Sequence, residues 1–267
     1  SGTVVTSSDG IAWTEVNSGR TNAFGKLAFG NGRYITGGLG GAFHSTNLTS
    51  WTAVPSTNNN EIGGVLYANN RFVVANNALV LGIQTSTDGT TWTAATVTGA
   101  IAGDDVEGLA GGGGNFVGTT RGFGGPPKIF ASSNGTAFTN QTPANFTIPN
   151  SLAYGNGRFV LVTSSHSWTS PDGVTWTANA FPSASYVGSV KFVGDKFIGR
   201  SSSLTMSFRT SSDGVTWTDV ENSSGPNAAF GDMVAHGNYI IAVGGGGSIV
   251  RGQIAGTAMP TTLTATV

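Results

Sequence analysis

Cysteine is missing from all 267 residues, which excludes disulfide staples, thiolate nucleophiles and cysteine metal sites and leaves the redox compartment unread. Charge is scarce as well: 9% of residues are charged and the formal net charge is -1. Capture of nucleic acid or of an anionic membrane rests on basic clusters. None is visible, so neither partner is expected. No run of about 18 apolar residues occurs, the length a membrane-spanning helix needs. No signal peptide is recognisable, and the chain opens on Ser1 rather than Met, so a targeting segment is neither indicated nor excluded.

What is plentiful is glycine, 42 residues, together with Ser, Thr and Asn, and these fall in a repeat. Ser211-Ser212-Asp213-Gly214-Val215-Thr216-Trp217-Thr218 has close copies beginning at Ser7, Ser45, Ser86, Ser132 and Ser170. Their aromatic residues, Trp13, Trp51, Trp92, Phe138, Trp176 and Trp217, lie 38, 41, 46, 38 and 41 residues apart. A strand-rich period of about 40 is the mark of a propeller built from repeated blades. Asp-Gly between β-rich runs predicts a two-residue hairpin turn. The Ser and Asp side chains are expected to pin that turn, and the aromatic to anchor it in the blade packing.

A second motif precedes each later copy. It is clearest as Leu27-Ala28-Phe29-Gly30-Asn31-Gly32-Arg33-Tyr34-Ile35 and Leu152-Ala153-Tyr154-Gly155-Asn156-Gly157-Arg158-Phe159-Val160, and it recurs at Val65–Val73 and, more weakly, at Leu109–Val117, Val190–Ile198 and Met233–Ile240. Two hairpins per unit make a four-stranded antiparallel blade. The chain opens on a second hairpin and finishes on a first, which predicts an all-β, six-bladed β-propeller over residues 1–255, closed by N- and C-terminal strands sharing a blade. Ser248–Arg251 competes with Thr3–Thr6 for the pairing strand. Residues 256–267 then form a C-terminal extension or linker whose alternating end could add a strand to a neighbour.

The Ser-x-Asp-Gly-x-x-Trp-Thr repeats resemble Asp-box, or BNR-like, propeller repeats, and the Gly-Asn-Gly-Arg-Phe-Val partner resembles repeats of bacterial surface proteins and phage tail or virion proteins. The usual Asp box has one more residue between Asp and Gly. The resemblance implies a propeller and spans activities from sialidases to lectin-like modules, so function has to come from the site. The uncharged Ser/Thr/Asn surface also resembles proteins exposed on virions or cells. The sequons at Asn47, Asn134, Asn140, Asn145 and Asn222 are no more than composition supplies and indicate no glycosylation.

Candidate function lies where blades depart from their siblings. Asp105 and Glu107, two apart on a first strand, are expected to point to one side; with Glu61 and Asp232 they fit an acidic channel mouth that binds Ca²⁺ or supplies an acid/base pair, against the alternative of a solvated junction. Thr119–Lys128 is a longer loop on which Phe123 could stack on a sugar, with Arg121 or Lys128 bonding its polar groups, against a passive loop. Trp168 offers a glycan platform if exposed and core packing if not. His44, His166 and His236 sit at unrelated repeat positions without metal-ligand spacing.

The expected role is a non-enzymatic virion or cell-surface protein whose loops bind a host glycan or receptor, with no required cofactor apart from an optional Ca²⁺. Weak sites of this kind work through many copies. The alternatives are a structural virion decoration or assembly protein and a sialidase-like glycoside hydrolase. The last lacks the Arg-Ile-Pro start that sialidases carry, and its clamp would have to come from arginines outside the repeat turns.

Overall fold

The computed structural model describes the chain except residues 1, 22, 56–60, 78–80, 182–186, 202–207, 221–229, 237–238, 245–248, 254–263 and 266–267. Tyr186, the sequon at Asn222 and most of the C-terminal tail therefore lie outside the described residues. Every regular element among the described residues is a strand.

Six antiparallel sheets follow one another along the chain. The first is β3 (Leu27–Gly30), β4 (Arg33–Gly38), β5 (Gly41–Ser45) and β6 (Thr52–Ala53), hydrogen-bonded in that order; the second is β7 (Glu61–Ala68), β8 (Arg71–Asn77), β9 (Gly82–Ser86) and β10 (Thr93–Ala94). The third is β12 (Val106–Gly112), β13 (Asn115–Thr120), β14 (Ile129–Ser132) and β15 (Ala137–Asn140). The fourth is β16 (Pro149–Gly155), β17 (Arg158–Thr163), β18 (His166–Ser170) and β19 (Thr177–Ala180), and the fifth β20 (Val187–Val193), β21 (Lys196–Ser201), β22 (Phe208–Ser211) and β23 (Thr218–Val220). The sixth is β24 (Phe230–His236), β25 (Tyr239–Gly244), β26 (Ile249–Gln253) and β27 (Thr264–Ala265). Before them stands a two-stranded hairpin, β1 (Val4–Thr6) with β2 (Thr14–Val16).

The two hairpins of each sheet turn by different chemistry. The inner turns are the tight ones: Asn31-Gly32 has φ 46° and 68°, and Asn156-Gly157 has 46° and 73°, the doubly positive pattern of a type I′ turn. The Ser-x-Asp-Gly loops are longer than the two-residue turn their Asp-Gly predicted, because β22 ends at Ser211 and β23 begins only at Thr218. The side chains there cage the backbone instead. Asp213 Oδ1 accepts the amides of Val215 (2.8 Å) and Thr216 (2.9 Å), and Ser211 Oγ accepts that of Gly214 (2.8 Å). The same set recurs around Asp9, Asp88 and Asp172 and, with Asn as the acceptor, around Asn47 and Asn134.

The core lies between sheets. Val117, Ile129 and Ala131 of the third sheet form one cluster with Leu152, Phe159, Leu161 and Trp176 of the fourth, and Val160 and Val162 of the fourth form another with Val187, Val190, Phe197 and Trp217 of the fifth. Three of the six repeated aromatics are the buried anchors expected of them, Phe138 fully and Trp176 and Trp217 with indole N–H groups donating to Gly173 (2.9 Å) and Gly214 (3.2 Å) carbonyls, whereas Trp13, Trp51 and Trp92 are half-buried. The two motifs also meet across two of the seams. Asn31 Nδ2 and Arg33 Nε donate to the carbonyls of Thr87 (2.9 Å) and Asp88 (3.0 Å) in the next sheet; Asn156 and Arg158 do the same to Ser212 (3.0 Å) and Asp213 (3.1 Å).

The strand order revises one expectation and adds two pairings that the sequence did not indicate. The strand beside β25 is Ile249–Gln253, so Thr3–Thr6 does not complete that sheet; β1 pairs with β2. The C-terminal Thr264–Ala265 pairs with β26 of its own chain. A further strand, β11 (Thr96–Thr98), runs parallel to β15 and covers the outer edge of the third sheet; such edges otherwise invite pairing with other chains.

Candidate functional site

The first strands begin and the second strands end on one face of the molecule, and there the siblings differ most. Five of the six sheets' first strands share a bulge near that end: pairing shifts between Ile62 and Gly64, Val106 and Gly108, Pro149 and Ser151, Val187 and Ser189, and Phe230 and Asp232. A bulge re-aims the side chain of its extra residue. That residue is Gly63, Asn150, Gly188 or Gly231 in four strands and Glu107 in the third sheet. Asp105 precedes β12 and lies outside the ladder, so the two carboxylates are not related by strand alternation as expected. The recurring Gly-x or x-Gly at these positions was the available signal.

Glu107 faces an open cleft of about 380 Å³ lined also by Phe24, Lys26, Leu39, Glu61 and Asn77. Asn77 Oδ1 accepts the Val106 amide at 2.9 Å and so ties the second sheet to the third beneath the cleft. Both carboxylate oxygens of Glu107 are engaged by Arg121, Nη2 at 2.5 Å and Nε at 3.1 Å. Asp232 is instead paired with Lys191 at 2.7 Å, away from this cleft. Among the described residues no group of three His, Cys, Asp or Glu side chains is placed to hold a metal ion.

The long loop after β13 is held rather than free. Fully buried Asp104 receives the Lys128 ammonium at 2.7 and 3.0 Å and the Ile101 amide at 2.7 Å, and the Arg121 amide donates to the Asp105 carbonyl at 3.1 Å. Gly124 lies so close to Ala102 that a Cβ would come within 1.9 Å of its carbonyl oxygen. Phe123, on the exposed part of this pinned loop, is 72% exposed. Lys128 is thereby an interior ion-pair partner, with no free approach to a ligand. Trp168 is buried against Phe146 and His166, the packed alternative rather than a solvent-facing platform. Of the expected residues the structure brings Glu107, Arg121 and Phe123 to one region, sets Asp105 beside it, and removes Lys128 and Trp168 to the interior. Sequence reasoning missed Lys26, Leu39 and Asn77, which join only through the folding of three sheets.

No family model and no curated protein matches this chain. Solved structures do. The chain is similar to YCF48 bound to a D1 peptide at 15% identity and a TM-score of 0.68, covering 91% of this chain and 81% of that one; YCF48 from Cyanidioschyzon merolae matches at 13% and 0.65, covering 91% and 84%. An ancestral GH74 enzyme matches at 14% and 0.64, over 91% of this chain and 38% of that one. All are β-propellers. The fold of this chain is a β-propeller. Its sheets are blades, and the cleft is lined by residues of the first three. Identities this low establish the fold alone.

Proposed function

We propose that this chain is a non-enzymatic binding module, a ring of six four-stranded blades that engages a protein partner on the face bearing the cleft and the Arg121–Lys128 loop. One observation carries the reading: the cleft joins charge of both signs, Lys26, Glu61 and Glu107, to exposed apolar side chains, Leu39 at its wall and Phe123 on the neighbouring loop. An extended peptide offers the same alternation of apolar and polar groups, and a preformed, pinned surface loses little entropy on binding it. A propeller of similar fold was solved with a peptide bound, which supports peptide binding as a use of this fold. The uncharged, Ser/Thr/Asn-rich composition favours placement on a virion or outside the cell.

Catalysis is not part of the proposal. A glycoside hydrolase needs a carboxylic acid and a carboxylate on either side of the scissile bond, and both oxygens of Glu107 are committed to Arg121. A second reading, glycan attachment, is favoured by Phe123 alone: a ring exposed between two glycines beside a guanidinium suits stacking on a sugar.

The test is parallel screening of the purified chain on a peptide array and on a multivalent glycan array with and without Ca²⁺. Sequence-selective peptide retention that falls at least about tenfold for Phe123→Ala is the expected result. Glycan retention with the same loss would favour the second reading; blank arrays of both kinds would overturn the site.

A further inference from the structure

Asn31 and Arg33 of the first blade clasp the Ser-x-Asp-Gly loop of the second, and beside that clasp stands a histidine that no other blade has in its place. His44 of β5 pairs with Ile35. The same register position is held by Thr85, Ala131, Thr169 and Thr210 in the second to fifth blades and by Arg251 in the sixth. This position borders the seam: a Cβ on Gly173 would lie 3.5 Å from Ala131, and one on Gly214 3.2 Å from Thr169, each across the joint to the following blade. In the second blade Thr85 Oγ1 accepts a hydrogen bond from Arg71 Nη1 at 3.3 Å. In the first, His44 Nδ1 lies 3.1 Å from Arg33 Nη1.

A guanidinium only donates, so this contact fixes the state of the ring: Nδ1 carries a lone pair and the imidazole is neutral. Arg33 is then held at two points, by His44 and, through Nε, by the Asp88 carbonyl at 3.0 Å. Its stem packs over Gly89, whose Cβ would come within 2.5 Å of Arg33 Cδ. A proton on Nδ1 removes the acceptor and sets a second cation 3.1 Å from the first. The charged groups acting on the ring are Arg33 and, from the second blade's loop, Asp88. Asp88 attracts an imidazolium, but its Oδ1 already accepts the amides of Thr90 and Thr91, each at 2.7 Å.

We infer that His44 makes the joint between the first and second blades a proton-operated clasp, closed while the ring is neutral and released when it is protonated. Burial, and then the Arg33 charge, lower the pKa of His44 from its ordinary 6.5 against the opposing pull of Asp88. The neutral ring is thus the form that the folded joint favours. The stability it lends is whole above about pH 6.5 and is lost as pH falls from there through the folded value. This window lies above that of the loop carboxylates, since Asp88 and Asp213 are both lowered from the ordinary carboxylate value. The joint between the fourth and fifth blades supplies a control, for Arg158 holds the Asp213 carbonyl at 3.1 Å with Thr169 in place of the histidine.

The experiment follows amide hydrogen exchange of the full chain at pH 7 and pH 5, each rate referred to the intrinsic rate at that pH. Protection of Gly89, Thr90 and Thr91 is expected to fall by about threefold or more at pH 5, while that of Gly214, Val215 and Thr216 holds. His44→Thr, which installs the acceptor that Arg71 finds in Thr85, is expected to keep the protection seen at pH 7 and to remove its pH dependence. His44→Gln, an acceptor that is neutral at both pH values, is expected to do the same with a longer side chain. A parallel fall in the two loops, a Gly89 loop unchanged by acid, or a pH dependence that survives both replacements would overturn the inference.

Discussion

Glycine at the Ser-x-Asp-Gly loops answers two demands, and they can be separated by experiment. Gly214 has φ +71° and its absent Cβ would lie 2.3 Å from Val160, whereas Gly32, with φ +68°, has nothing within 4 Å. Gly32→Ala should cost only the left-handed backbone term, about 1–2 kcal/mol. Gly214→Ala should add the cost of overpacking a seam, about 1–3 kcal/mol more. Urea unfolding of the two variants checks the difference, and equal losses would mean that the seam yields. Leu48, at φ 67° in the first blade's loop, shows that a side chain can stand at this loop position. These residues were legible in the sequence because their bonding is local: Ser, Asp or Asn and Gly within four positions build the cage by themselves. The length of the loop was not legible, since Asp-Gly alone suggests a tight turn and only the strand ends show the wider one.

An element can be positioned by bonds that its own sequence does not announce, and the loop after β13 is the case here. Its Gly and Pro residues mark it as shaped, but its anchor is Asp104, 24 residues upstream of Lys128, and a pair so distant has no periodic signature. The pair is buried at both ends. Lys128→Met should therefore destabilise by about 3–5 kcal/mol, because it leaves the Asp104 charge buried with only the Ile101 amide for compensation, and Asp104→Asn in the same chain should recover part of that loss. Denaturant unfolding of the single and double variants decides it. The bulge that turns Glu107 into the cleft was hidden for a related reason: alternation predicts which face a residue takes only while the ladder stays in register. β11 was unreadable because a three-residue strand in a connecting segment has too little pattern to call, and its parallel partner lies 41 residues on.

At the scale of the whole molecule the loop carboxylates act in concert. Asp88 is held well below the ordinary carboxylate range by the amides of Thr91 and Thr90. Asp9 is lowered in the same way by Ile11 and Ala12. For Asp172 and Asp213 burial pushes upward, but the amides of Val174 and Thr175, and of Thr216 and Val215, outweigh it and the net shift is down. A carboxylate with a depressed folded pKa stabilises fully above its unfolded value, near 4, and that contribution fades as pH falls toward the folded value. Acid should accordingly loosen blades spread round the ring together. The loops of Asn47 and Asn134 make the same bonds without a titrating group, so a chain carrying Asp88→Asn, Asp172→Asn and Asp213→Asn should lose less melting temperature between pH 7 and pH 3 than the parent does. A parallel fall in both would show that other groups govern acid unfolding. The repeat made the blades readable, whereas the strand beside β25 was left between two competing segments, and only geometry gives that place to Ile249–Gln253.

The seam contacts carry a consequence for descent. Asn31 and Arg33 reach forward to the loop of the next blade, and Asn156 and Arg158 repeat the gesture three blades later, so the units that carry Asn-Gly-Arg hold one half of a clasp whose other half is the Ser-x-Asp-Gly loop of the following unit. A duplicated unit of that kind therefore arrives with both halves in place, and the joint it makes is chemically the same as the joint it copies. Copy number in such a lineage can drift by unequal recombination without a new interface having to evolve, and the ancestral currency of the chain is the single forty-residue unit rather than the ring.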